Sequence, residues 1–172
     1  MASLAQPFAQ LAKECEAEGL TAPNAEKIGR ELAKAFNVRA DEVGLLRVES
    51  GDLVFCYPAK LQTVGRLPLN TKNSVAVRTA NNRRAEIINH FAKVKHTTIF
   101  EAVQLSDGEF ENPSTRIIQK LMSVPVVNGS TAVGVIQISR KGSSATEAGA
   151  DFTPTDLHKL VSCAKELAKC FK

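Results

Sequence analysis

Val124-Pro125-Val126-Val127-Asn128-Gly129-Ser130-Thr131-Ala132-Val133-Gly134-Val135-Ile136-Gln137-Ile138-Ser139-Arg140 sets two β-branched runs around an Asn-Gly pair. β-Branched side chains favour extended backbone, and Asn-Gly readily takes the positive φ that a type I′ turn needs at both central residues. The spacing predicts a hairpin turning at Asn128-Gly129. In its second arm Val133 and Val135 occupy one face, Ile136 and Ile138 the other. A strand apolar on both faces is covered on both, which places it inside a layered α/β structure.

Downstream, Lys141 to Ala150 is rich in Gly, Ser and Ala and reads as a flexible loop. Phe152-Thr153-Pro154-Thr155-Asp156 then opens a helix. Thr153 is the N-cap, Pro154 sits at the first helical position, and Asp156 takes the capping-box place. Leu157, Leu160, Val161, Ala164, Leu167, Ala168 and Phe171 follow on one broad face.

Upstream, Leu4, Phe8, Leu11 and Cys15 recur at helical spacing, and Gly19 can supply a left-handed C-cap. Thr21 and Pro23 start a second helix with Ile28, Leu32 and Phe36 as its stripe. Val43–Glu49 and Asp52–Tyr57 form a hairpin around Ser50-Gly51, with Leu53, Phe55 and Tyr57 expected on one face. Gly65-Arg-Leu-Pro-Leu reads as a short edge strand, because Pro68 would interrupt a central one. Thr71–Arg83 reads as a helix, Ala85–Phe91 as a short strand, and Ser114–Leu121 as another short helix.

The chain has 172 residues, 44% hydrophobic and 23% charged, which fits one ordinary globular domain. No apolar run is long enough for a membrane span, and no basic leader precedes an apolar stretch, so a soluble cytoplasmic protein is expected. The net charge of +4 invites a nucleic-acid partner, but acidic residues interleave with the basic ones and only Arg83-Arg84 and Arg140-Lys141 are adjacent. Neither nucleic acid nor membrane is expected as a partner. His90 and His96 have no third ligand at a suitable spacing, and Asp107, Glu109 and Glu111 read as a solvated acidic run, so no metal and no cofactor is expected.

In this order the segments resemble the GAF domain, a small-molecule sensor and dimerisation module of signalling proteins. The resemblance rests on Gly65-Arg-Leu-Pro-Leu-Asn with Ser74-Val-Ala-Val-Arg-Thr-Ala-Asn-Asn-Arg-Arg, on Ala85-Glu-Ile-Ile-Asn-His, on the Val124 to Arg140 hairpin and on Phe152-Thr-Pro-Thr-Asp-Leu. It covers residues 21–172, with 1–20 as a lead-in helix. It implies an α+β fold: a central antiparallel sheet of five or six strands, terminal helices on one face, and a pocket-forming helix and loop segment on the other.

Carried over by position, it implies a pocket lined by Phe55, Tyr57, Asn89, Phe91, Phe100 and Arg116, with Asn89 and Arg116 as the polar readers. It also implies a homodimer through the terminal helices, with Leu4, Phe8, Leu11, Leu160, Leu167 and Phe171 at the interface. The alternatives are that the phenylalanines fill a closed core, that Tyr57 reaches solvent with its hydroxyl free, and that Arg116 lies on the surface.

Some relatives of this fold reduce free methionine sulfoxide, which needs an accessible thiolate and a resolving thiol. The four cysteines are Cys15, Cys56, Cys163 and Cys170, and the stretch between Cys56 and Cys163, where those relatives carry theirs, has none. The expectation is therefore a non-catalytic sensor for an unidentified small molecule, possessing a signalling partner. The alternative is a ligand-free interaction or dimerisation module. Cys15, Cys163 and Cys170 allow a redox-sensitive cluster or, more simply, small buried hydrophobes in helix packing.

Overall fold

The computed structural model describes residues 5–62, 65–91 and 117–171. Helices α1 (Ala5–Cys15) and α2 (Ala22–Phe36) lead into β1 (Val43–Glu49), β2 (Asp52–Tyr57) and β3 (Arg66–Pro68). Helix α3 (Val75–Asn82) and β4 (Glu86–Ile88) follow, then the long strands β5 (Ile117–Asn128) and β6 (Thr131–Gly142), and the closing helix α4 (Pro154–Leu167). The six strands form one antiparallel sheet in the order β3-β2-β1-β6-β5-β4. Both three-residue strands are edges, and Pro68 sits on one of them, where its missing N–H breaks no inner ladder.

The layers are those the doubly apolar strand requires. On one face α1, α2 and α4 bury Phe8, Ile28, Leu32, Leu160 and Leu167 against Leu45, Met122, Val124, Ile136 and Ile138. On the other, α3 lies over β5 and β6, and Val75, Val77 and Ala80 join Leu46, Phe55, Leu121 and Val135. Burying each large apolar side chain in this way stabilises the fold by roughly 1.5–3 kcal/mol. The lead-in helix belongs to the first core outright: Ala12 and Cys15 are fully buried there.

Local chemistry sets the helix boundaries. Thr21 accepts from Asn24 N at 3.3 Å, and Asn37 closes α2 in the left-handed conformation, φ 52°. Ser74 caps α3 through Val77 N at 3.2 Å, so this helix begins four residues after Thr71. At α4 Thr153 accepts from Asp156 N at 3.1 Å while the Asp156 carboxylate accepts from Thr153 N at 2.9 Å, the reciprocal pair read from the sequence.

Three local expectations need correction. Asn128 pairs with Thr131, so the last hairpin turns on Gly129-Ser130, and only Gly129 has positive φ (66°), as a type II′ turn requires. The two positive φ angles of a type I′ turn occur instead at Ser50 and Gly51, 53° and 84°. Secondly, Phe55 pairs with Leu46 but Tyr57 with Leu45, leaving Cys56 as the extra residue of a bulge. The bulge turns Tyr57 to the face opposite Phe55, where it is buried in the first core rather than exposed. Thirdly, the expected helix over Ser114–Leu121 is strand from Ile117 onward. Its polar residues are satisfied from far along the chain: Gln119 donates to the Gly142 carbonyl at 2.9 Å, and Lys120 meets the Gly149 carbonyl and Asp151.

Candidate functional site

On the α3 side of the sheet the strand register lines up three rows of side chains. The first runs Phe55–Leu46–Val135–Pro125 and the third Ser139–Leu121–Ile88. Between them runs Gly44–Gln137–Ser123–Glu86, polar where its neighbours are mostly apolar. Gln137 is 2% exposed and Ser123 fully buried, and Thr79 of α3, 1% exposed, reaches down onto them.

These three side chains form a directed hydrogen-bond chain. Thr79 Oγ1 donates to the Val75 carbonyl at 2.8 Å, so its oxygen accepts from Ser123 Oγ, 2.7 Å away. Ser123 in turn accepts from Gln137 Nε2 at 3.2 Å. The Gln137 Oε1 atom is buried and has no hydrogen-bond partner among the described residues. At the outer end of the row Arg78 of α3 holds Glu86 through two bonds of 2.9 and 3.0 Å. This ties the helix to the edge strand and keeps the polar row covered.

The residues singled out in the sequence divide between several places. Phe55 and Phe91 are buried in the core on the α3 side. Tyr57 is on the other side, against α2, and burial raises the pKa of its hydroxyl. The Asn89 amide is committed to backbone: it donates to the Phe152 carbonyl at 3.0 Å and accepts from Phe152 N at 2.9 Å. Phe100, Arg116 and Leu4 lie outside the described residues. Phe8, Leu11, Leu160, Leu167 and Phe171 are buried against the chain's own sheet, so their apolar stripe builds the first core. Only Leu11 among them borders an outer groove of about 400 Å³ between α1 and α2, together with Gln10, Glu14, Lys27, Arg30 and Lys34.

Sequence reasoning passed over Thr79, Ser123 and Gln137, although Gln137 is the one large polar residue inside the run Val133–Ile138. Among the described residues no three His, Cys, Asp or Glu side chains come together as metal ligands. Among them, too, no helix is long and apolar enough to cross a membrane. All four cysteines are buried. Burial raises the pKa of the Cys15 and Cys56 thiols, and it pushes Cys163 up to about 12.

No protein-family model matches the chain, and no curated protein does. Solved structures do. The GAF domain of an Acinetobacter phosphoenolpyruvate-protein phosphotransferase superposes over 99% of this chain and 94% of its own, with a TM-score of 0.67 at 11% identity. The chain has the GAF fold. A second GAF domain, from the corresponding Coxiella burnetii phosphotransferase, gives a TM-score of 0.68 at 13% identity, covering 96% of this chain and 90% of that one. A free methionine-R-sulfoxide reductase from Neisseria meningitidis, solved in complex with its substrate, gives 0.60 at 18% identity over 99% and 92%. GAF architecture thus accounts for the sheet order and for the helices on both faces, and at these identities the likeness is one of fold.

Proposed function

We propose that this chain is a non-catalytic sensor domain that binds a small molecule on the α3-covered face of its sheet and passes the bound state to a signalling partner through the terminal helices. The observation that carries this reading is the buried polar row in the middle of that face. Polar groups in an apolar core cost stability unless they are hydrogen-bonded, and one atom of this row, Gln137 Oε1, has no partner among the described residues. Regulatory proteins among the structural neighbours, including a methyl-accepting chemotaxis protein, support a signalling role by analogy of fold.

The reductase neighbours raise the competing enzymatic reading, and the thiols argue against it. Thiol chemistry runs through an accessible thiolate, whereas all four cysteines here are buried, and burial holds Cys163 in its neutral form. In a homodimer the contacts would come from the partly exposed Leu157 and Val161, one helical turn apart on α4, because Leu160 and Leu167 are occupied in the core. Val161→Glu then yields monomers in sedimentation equilibrium.

Native mass spectrometry of gently purified protein tests the sensor. A dimer that retains an extra mass of small-molecule size supports it. A bare dimer that also binds nothing from a metabolite extract overturns it in favour of the ligand-free docking module. That second reading has its own support in the burial of Phe55 and Phe91 against the same sheet face.

A further inference from the structure

Resting on the sensor reading above, we propose that Gln137 is the residue that reads the ligand, and that the ligand is an uncharged small molecule presenting an N–H donor to Gln137 Oε1.

The direction of the hydrogen-bond chain supplies the specificity. With the amide nitrogen towards Ser123, three bonds form in series: Gln137 to Ser123, Ser123 to Thr79, and Thr79 to the Val75 carbonyl. Turning the amide over makes its oxygen accept from Ser123. Ser123 must then accept from Thr79, and Thr79 gives up the Val75 carbonyl. Two bonds remain of three, so the count favours oxygen pointing away from Ser123. Among the described residues no donor reaches that oxygen. A carboxylate or phosphate brought to it would set acceptor against acceptor, whereas an amide, lactam or similar N–H completes it.

The side chains around the amide are few on one side. Across the ladder from Ser123, the partner of Gln137 on β1 is Gly44, which is buried yet places no side chain on this face. Along β6 the neighbours on the same face are Val135 and Ser139, and Ser139 donates to the Glu42 carbonyl at 3.3 Å rather than to Gln137. The polar pattern is the one small-molecule sites use: an apolar surround with a few placed polar atoms, one of them without a partner among the described residues. Anchored through Ser123 and Thr79, the amide is also held in orientation before any ligand arrives, which lowers the ordering cost of binding.

The test uses the whole chain, ¹⁵N-labelled, and a matched pair of probes: acetamide, which carries N–H donors, and N,N-dimethylacetamide, which carries none. Acetamide is expected to shift the Gln137 side-chain amide resonances saturably, and dimethylacetamide to leave them in place. Gln137→Met keeps the side-chain length and removes both amide atoms. It is expected to lose the acetamide response on the neighbouring backbone amides of β5 and β6 while keeping a folded spectrum. Equal responses to both probes overturn the proposal, as does no response to either, or a bound water at Oε1 that acetamide does not displace. The probe comparison needs only the wild-type chain, so it decides the matter even if the variant fails to fold. A wild-type protein that retains a small mass, and whose Gln137→Met variant retains the same mass, removes Gln137 as the reader and leaves the sensor reading standing.

Discussion

The Tyr57 ring lies against Gly29 so closely that a Cβ added to the glycine would meet the Tyr57 Cε1 atom at 2.5 Å. Helix α2 and strand β2 are packed through this contact, and it explains a glycine in the middle of a helix. Gly29→Ala would gain about 1 kcal/mol of helix propensity, but overpacking a buried site costs about 1–3 kcal/mol. Because the ring is buried and cannot swing into solvent, we expect a net loss and a lower thermal midpoint. Adding Tyr57→Leu to Gly29→Ala should recover part of that loss. A Gly29→Ala protein as stable as wild type would show that the ring moves freely.

Gly134 on β6 is more constrained, because a Cβ there would meet both the Phe171 ring and the Leu46 carbonyl oxygen, the latter at 2.5 Å. A side chain can yield to such an overlap, but a paired strand cannot. Gly134→Ala is expected to destabilise the chain by about 2–4 kcal/mol, at the upper end of single-substitution effects. Removing the ring with Phe171→Ala relieves only half of the clash. Denaturant unfolding of the double variant should therefore show no rescue, in contrast to the pair at Gly29.

Asn89 is tied to the backbone of Phe152 by both ends of its amide. Asn89→Ala should lower stability by about 1–3 kcal/mol, since two backbone groups lose a partly buried partner. Asn89→Asp keeps the acceptor for Phe152 N and is expected to fall between the two. Native mass spectrometry should find any retained small molecule unchanged in both. Loss of the mass at full stability would make Asn89 a binding residue after all.

Burial pushes the Cys163 thiol up to about 12. Taking an ordinary thiol at about 9, the thiolate fraction at pH 8 drops from roughly one in ten to roughly one in ten thousand. Iodoacetamide at that pH should modify Cys163 only as fast as the chain opens. The linkage has a definite sign. The folded state holds the proton more tightly than the unfolded one, so this contribution to stability is complete below about pH 9 and is lost as the pH rises from there towards 12. A melting midpoint that rises over that window in wild type relative to Cys163→Ala would contradict it.

Much of this fold is legible in local sequence because its boundaries are set by neighbours. Thr21, Thr153, Pro154 and Asp156 act within three residues of themselves, and the caps they form follow from residue type. Pairing across the sheet is harder to read. The bulge at Cys56 depends on which residues of β1 face β2, and one extra residue moves Tyr57 to the opposite layer. Strand β5 opens with Ile117 to Lys120, whose polar pair looks like a helix surface until Gly142, Gly149 and Asp151 are brought beside it. The candidate site is harder still. Thr79 and Ser123 stand 44 positions apart and Ser123 and Gln137 14 apart, so no window of sequence contains the chain they form.

The strand order places the meeting of β1 with β6 at the centre of the sheet. Gly44 arrives with the first hairpin, and Ser123 and Gln137 with the last. Such pairing between distant parts of a chain carries a large loop-closure cost and belongs to the slow stage of folding. The surroundings of Gln137 are therefore complete only in a chain whose two hairpins have already docked, the last supplying the polar side chains and the first the Gly44 backbone beside them. A molecule that binds there distinguishes the finished protein from every partly folded form, and so draws the folding equilibrium of the whole chain towards completion.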